Sequence, residues 1–229
     1  LTFKFRSGEF IMLGIFVDQK PLLRAYSITS PPWDEKLSFY SIKINDGPLT
    51  SQLQHMKISD KILLGKKPTG TLTLDALTPG KTLYMLSTGT GIAPFLSLIR
   101  DPETYEKYDN IILAHTCRFI NDLEYGTTII NALESDPLVA QMAKDQFTFY
   151  PTLTQGHYHR VGRLTTLIKN GAFFRDIERL PFQPDKDRVM ICGSTAMLHD
   201  LSTIVKSFGL SEGSNATPAE FVIEKAFVT

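Results

Sequence analysis

Cys117 and Cys192 are the only thiols in the chain, too few for a disulfide framework or for a four-thiolate metal or iron–sulfur centre. An excess of either charge is also missing. Twenty-four basic and 24 acidic side chains cancel, which argues against a general nucleic-acid binder and leaves room only for local patches. No apolar run approaches a membrane span and no signal peptide is visible, so a cytoplasmic protein is expected. Repeats and low-complexity tracts are absent as well. What remains, 42% hydrophobic and 21% charged over 229 residues, suffices for a sizeable core in one large domain or two small ones. The opening Leu1-Thr2-Phe3-Lys4-Phe5 has no initiator methionine and reads as mid-strand. An earlier barrel strand is therefore expected ahead of it, whose absence leaves an exposed edge and a weakened barrel.

Residues 1 to about 75 read as β-rich, with strand-like runs at Glu9–Val17, Leu23–Ser30, Leu37–Asn45, Lys61–Gly65 and Thr71–Leu74. Turn signals at Asp18–Pro21, Pro31-Pro32, Asp46–Pro48 and Pro68–Gly70 separate them, a spacing that suggests a small antiparallel barrel. One interruption, Gly47–Ser51, leads into a short helix over Gln52–Met56 with a hydroxyl at its start, which reads as a cap or as a phosphate seat. The pattern changes at Ala76–Lys81. From Thr82 onward, strands at Leu83–Ser87, Ile111–His115, Phe147–Leu153, Arg188–Cys192 and Glu220–Val228 alternate with helical periodicity at Ile92–Ile99, Asp122–Leu133, Leu164–Lys169 and Met197–Phe208. Such alternation predicts a Rossmann-like α/β sheet, parallel and covered on both faces. Two domains are expected, over residues 1–76 and 82–229. Asp101–Asn110 reads as a loop, and Gly209–Pro218 as the most mobile surface loop of the second domain.

Four stretches carry chemistry. Leu23–Ser30, a strand ended by two prolines, holds a cation, a phenol and a hydroxyl at Arg24, Tyr26 and Ser27. Alternation points Arg24 and Tyr26 one way and Ser27 the other. This set suits a ligand with a phosphate and a flat heteroaromatic ring, and equally an ordinary barrel strand with a surface arginine. Ser87–Phe95 places Gly89 and Gly91 between a strand and a helix, where the backbone can approach a pyrophosphate. It is not the full Gly-x-Gly-x-x-Gly fingerprint. The next strand ends His115-Thr116-Cys117-Arg118, at the place where an arginine accommodates the 2′-phosphate of NADP. Arg163 follows the third strand as a second candidate clamp, although each arginine alone reads equally as a solvated charge. Cys192-Gly193-Ser194 closes the fourth strand at the ligand-binding sheet edge, where the cysteine also reads as a small packed residue. His157 and His159 lack a third ligand, so no metal site is expected.

Taken together, the Arg24–Ser27 strand, the Gly47–Thr50 turn, the Thr88–Gly91 loop, the Cys192–Ser194 turn and the C-terminal Glu224–Val228 resemble the ferredoxin–NADP reductase family. Its bacterial ferredoxin/flavodoxin branch is the nearest in pattern. The resemblance implies a β-barrel that binds FAD, an α/β domain that binds NADP(H), and ferredoxin or flavodoxin as a transient, electrostatically docked partner of a monomer. Carried over by motif, Arg24, Ala25, Tyr26, Ser27, Tyr40, Ile42, Lys43, Gly47, Leu49, Thr50, Thr90, Ala226 and Phe227 line FAD. Gly89, Gly91, Arg118, Thr154, Arg163, Cys192, Gly193 and Met197 take NADP. Ser27, Cys192, Glu224 and Ala226 surround the reacting rings.

Plant-type members carry an aromatic residue where this chain has Ala226. The tail Phe227-Val228-Thr229 resembles the bacterial subclass, in which it runs along the FAD adenine. Thr154-Gln155-Gly156 stands where the branch has Thr-Arg-Glu, so one NADP-phosphate contact is expected to be missing. The activity implied is hydride transfer from NADPH to the flavin and single-electron delivery onward. The runner-up readings are an NAD(P)H:flavin or oxygenase-type reductase with another acceptor, and a barrel that binds flavin without turnover. Lys20, Lys36, Lys66 and Lys67 are candidates for a basic patch.

Overall fold

Strands buried on both faces must be apolar at every position, whereas half-buried strands alternate; the two halves of this chain divide on that rule. The computed structural model describes residues 3–44 and 46–226. The first half forms a three-stranded antiparallel sheet of β1 (Phe10–Val17), β2 (Lys20–Ser27) and β3 (Leu63–Leu64) in the order β2-β1-β3. A tight turn, with Asp18 and Gln19 both at positive φ, joins β1 to β2 and sets the register from Val17↔Lys20 to Phe10↔Ser27. Between β2 and β3 lies α1 (Thr50–Leu53), a single turn.

The second half holds β4 (Thr82–Thr88), α2 (Ala93–Leu98), α3 (Pro102–Lys107), β5 (Asn110–Cys117), α4 (Glu124–Ala132), α5 (Ala140–Gln146), β6 (Phe147–Leu153), α6 (Leu164–Lys169), α7 (Ala172–Asp176), β7 (Asp187–Gly193), α8 (Thr195–Ser207) and β8 (Phe221–Lys225). The five strands form one parallel sheet in the order β6-β5-β4-β7-β8. Successive residues feed opposite cores. Leu83 and Met85 pack with α2 and α4, and Tyr84 and Leu86 with α6, α7 and α8. The strand order reverses direction between β4 and β7, and ligands of such sheets bind in the crevice outside the strand C-termini there.

Several expectations are corrected. Leu37–Asn45 forms no strand among its described residues; its ladder reduces to one bridge, Ile28↔Phe39, beside the Thr29 N–H to Ser38 O bond. Thr71–Leu74 is not a barrel strand either. The Thr71 amide and hydroxyl turn to Glu224 and to Ile223 O on β8, and Leu74–Ala76 is a 3₁₀ turn in the core of the parallel sheet. Phe3–Arg6 carry no strand. The helix expected at Gln52–Met56 begins earlier, at Thr50, and no side chain caps it; the Thr50 hydroxyl donates to Ile44 O instead. Asp101–Asn110 is not a loop throughout: it contains α3 (Pro102–Lys107), and Asn110 already begins β5. Asp101 accepts from the Glu103 N–H and Pro102 takes the first turn, a start signal the short periodicity concealed. Loop Gly209–Pro218 is tied at Asn215, which donates to Gly70 O and accepts from Thr73.

Candidate functional site

Two cavities open at the C-terminal edge of the parallel sheet and meet. The first, about 600 Å³, is bordered by Arg24, Ala25, Tyr26 and Ser27 of β2, by Tyr40, Ser41, Ile42 and Ile44, by Gly47–Thr50, and by Thr90, Ala93 and Ala226. Alternation separates Ser27 from Tyr26, yet both border it, because β2 is an edge strand and the cavity reaches around that edge. Tyr26 OH pairs with the Ser41 hydroxyl at 3.3 Å, and Arg24 Nη1 donates to Leu23 O. A Cβ at Gly47 would lie 2.2 Å from Thr50 Oγ1, so any larger residue there would displace that side chain.

The second cavity, about 630 Å³, is built from strand ends: Thr88–Thr90 at the end of β4, Thr116–Arg118 at the end of β5, Thr154 after β6, Arg163–Thr165 at the start of α6, and Ser194, Ala196, Met197 and Asp200 around the start of α8. Tyr40, Ile42 and Thr90 border both cavities. Arg118 and Arg163 make no side-chain hydrogen bond or ion pair among the described residues, so both guanidinium groups are available to an anion. Tyr40 is held by a stack on Tyr125 of α4 (centroids 4.4 Å, 14°), and Tyr125 OH pairs with the Thr29 hydroxyl. Nothing polar marks position 125 as more than one side of an amphipathic helix, so it escaped the motif reading.

Thr90 is the polar feature of the junction. Its hydroxyl is buried and has no partner among the described residues, a cost of about 1–3 kcal/mol. Beneath it the end of β4 and the loop that follows interlock with the end of β7. A Cβ at Gly91 would strike Cys192 O at 2.2 Å, and one at Gly193 would meet Thr88 Oγ1 at 2.4 Å and Met197 Sδ at 2.9 Å. Gly91 therefore serves protein packing. Since backbone cannot yield as side chains can, Gly91→Ala is expected to cost about 3 kcal/mol or more and Gly193→Ala about 1, measured as shifts in urea midpoints; equal midpoints would contradict the interlock.

Not every expected residue reaches the cavities. Cys192 is 1% exposed, packs in the sheet core beneath Gly193, and burial, with Glu224 adding to it, pushes its thiol well above the usual range. Cys192, Gly91 and Gly193 thus stand behind the wall rather than on it. Lys43 is exposed and borders neither cavity, and Phe227 lies outside the described residues. No group of three or more metal-ligating side chains occurs among the described residues; His159 meets Arg160 instead.

Glu224 also borders neither cavity. Its carboxylate accepts from the Thr71 N–H at 2.9 Å, tying β8 to the strand-free segment after β3. Burial raises its pKa to about 7 against those bonds, with Glu9 adding to the rise. A folded-state pKa above the unfolded value means the native state binds the proton more readily, so stability falls as pH rises from about 4.5 to about 7. Glu224→Gln is expected to flatten that decline in urea midpoints recorded across the same range. An unchanged slope would show that Glu224 does not titrate there.

No family model matches the chain. Among curated proteins, the flavodoxin/ferredoxin–NADP reductase of Rhodobacter capsulatus is 52% identical over 228 residues, 99% of this chain and 84% of that protein. The ferredoxin–NADP reductase of Pseudomonas aeruginosa is 47% identical over 98% of this chain and 88% of its own length. Among solved structures, a ferredoxin NADP⁺ reductase from Neisseria gonorrhoeae with bound FAD and NADP superposes with a TM-score of 0.87 at 29% identity, covering 99% of this chain and 89% of that one.

Proposed function

Since the chain belongs to the ferredoxin/flavodoxin–NADP reductase family, we propose that its cavity beside β2 holds FAD and the one at the ends of β4–β7 holds NADP(H). The protein is a flavoenzyme reductase that exchanges electrons between NADPH and ferredoxin or flavodoxin. The observation that carries this assignment is the shared wall: Tyr40, Ile42 and Thr90 border both cavities, so rings seated in them meet. The residues present suit both groups. An apolar cavity with two phenols and an arginine fits a flat ring on a pyrophosphate, and arginines with no side-chain partner among the described residues fit a phosphate.

FAD, when bound, accepts the hydride of NADPH and returns electrons singly, and the chain's task is positioning. Arg24 balances pyrophosphate charge. Tyr26 and Tyr40 enclose the ring, and the Ser27 hydroxyl offers a hydrogen bond at its edge. Ile42, Leu49 and Thr50 complete that pocket around the Gly47 turn, and Lys43 acts from outside it. Arg118, Arg163 and Thr154 hold the adenosine end of NADPH, with Met197 against its other end. Ala226, fixed by its N–H to Gly193 O at 3.0 Å, leaves the nicotinamide face open, while Cys192, Gly193 and Glu224 support that wall from behind. Residues 1–76 form the FAD unit and 82–229 the NADP unit. Among the described residues no helix is long and apolar enough to cross a membrane.

The acceptor docks transiently, as an acidic protein on a monomer. Lys20, Lys36, Lys66 and Lys67 are exposed and take part in no ion pair among the described residues. Exposed cations of this kind raise association rates more than affinity. Reduction of purified ferredoxin and of flavodoxin by the enzyme with NADPH tests the function: turnover with either supports it, and its failure with both would turn the reading to the runner-up reductases. Added salt is expected to slow turnover with the acceptor while leaving NADPH oxidation by a small neutral acceptor little altered.

A further inference from the structure

His115, which neither cavity contacts, is fully buried near the C-terminal end of β5, directly behind the loop where the cavities meet. Its Nε2 lies 2.9 Å from the carbonyl oxygen of Gly89 and 3.2 Å from Cys117 Sγ. Nδ1 has no partner. Gly126 of α4 lies beside that edge of the ring, where an added Cβ would stand 3.7 Å from Nδ1.

Two arrangements of protons are possible, and they are unequal. With the proton on Nδ1, a buried donor would face no acceptor, and the Nε2 lone pair would oppose the Gly89 carbonyl. With the proton on Nε2, the ring donates to Gly89 O, the Cys117 thiol donates to Asp122 O at 3.5 Å, and only a bare acceptor is left over. The ring is neutral, burial having lowered its pKa to about 4, and the thiol keeps its proton because burial and Asp122 raise its pKa to about 12.

We infer that His115, in its Nε2–H form, is a positioning residue that fixes the Gly89 carbonyl and thereby the Gly89–Thr90 wall shared by the two cavities. Gly89 sits at φ +53 with no packing neighbour within 4 Å of an added Cβ. Its backbone is thus not held by packing on that side, and the histidine adds to the restraint of the 3₁₀ turn Gly89–Ile92 that this residue begins. The Cys117 thiol, in contact with the same ring, donates to Asp122 O in the turn after β5 that carries Arg118, so the ring lies behind both rims of the larger cavity. The inference rests on that cavity taking NADPH.

The test uses the FAD-loaded enzyme and three variants. Glutamine places its amide nitrogen near the position of Nε2, asparagine near that of Nδ1, and leucine supplies no donor. His115→Leu and His115→Asn are expected to raise KM for NADPH about tenfold, the scale of one buried hydrogen bond lost, with a smaller effect on kcat. Their FAD content should match wild type, and His115→Gln should restore KM to within about threefold. A wild-type KM in the FAD-loaded asparagine variant, or no rescue by glutamine, would overturn the inference. Wild-type enzyme that fails to oxidise NADPH would instead overturn the assignment of the cavity. Should the leucine and asparagine variants not fold, ¹⁵N NMR of the wild-type imidazole decides: a protonated Nε2 and bare Nδ1 support the inference, and the reverse contradicts it.

Discussion

Arg118→Ala raises KM for NADPH by about 10- to 100-fold and leaves that for NADH within about twofold. A charge-assisted hydrogen bond contributes about 1.5–3 kcal/mol, and each 1.4 kcal/mol is tenfold in affinity. Arg118 follows the last residue of β5 and borders the larger cavity with Arg163, which precedes α6. Its backbone is fixed by the Gln155 N–H to Arg118 O bond at 3.1 Å, so its guanidinium leaves a rigid base. The loop after β6 supplies Thr154 to the cavity but not Gln155. With that contact absent, the proposed assignment leaves the discrimination between a 2′-phosphate and a 2′-hydroxyl to the arginines after β5 and before α6. Steady-state kinetics with both nucleotides measures it, and an equal rise for both would refute the phosphate assignment.

Ala226→Tyr slows reduction of the bound flavin by NADPH about tenfold or more. Ala226 borders the smaller cavity, and its amide is pinned to Gly193 O, so a tyrosine there would project its ring into space that a small methyl leaves open. Stacked aromatic pairs gain about 0.5–1.5 kcal/mol beyond burial. A ring that must be displaced before nicotinamide lands lowers the competent population in proportion. Anaerobic stopped-flow with saturating NADPH reads the rate directly. An unchanged rate would mean that nicotinamide does not approach over Ala226.

The parallel sheet was legible because its strands are buried on both faces, and unbroken runs such as Leu83–Ser87 and Val189–Cys192 admit little else. The glycines and hydroxyls that close those strands marked the larger cavity's rim. Arg24, Tyr26 and Ser27 marked the smaller one, since polar groups are conspicuous in an otherwise apolar strand. The failures have physical causes too. Leu37–Asn45 has the composition of a strand, but composition does not supply a neighbour, and among its described residues Phe39 alone forms a bridge. Helix α3 is too short for periodicity, although Asp101-Pro102-Glu103 spells its start. Long-range polar contacts were invisible in principle. Glu224 and Thr71 lie 153 positions apart, and the pairing of His115 with Gly89 depends on two strands standing in register. Glycine spacing at Gly91 suggested room for a ligand, whereas the room is filled by the backbone at the C-terminal end of β7.

The account depends most on the two cavities forming a single route across Thr90, Tyr40 and Ile42. Purified protein saturated with FAD and mixed anaerobically with NADPH addresses this in one visible spectrum. The account expects a yellow protein whose flavin bands bleach within seconds of mixing and return when oxygen is admitted. A protein that takes up no FAD, or that binds it and keeps its colour under excess NADPH, would contradict it.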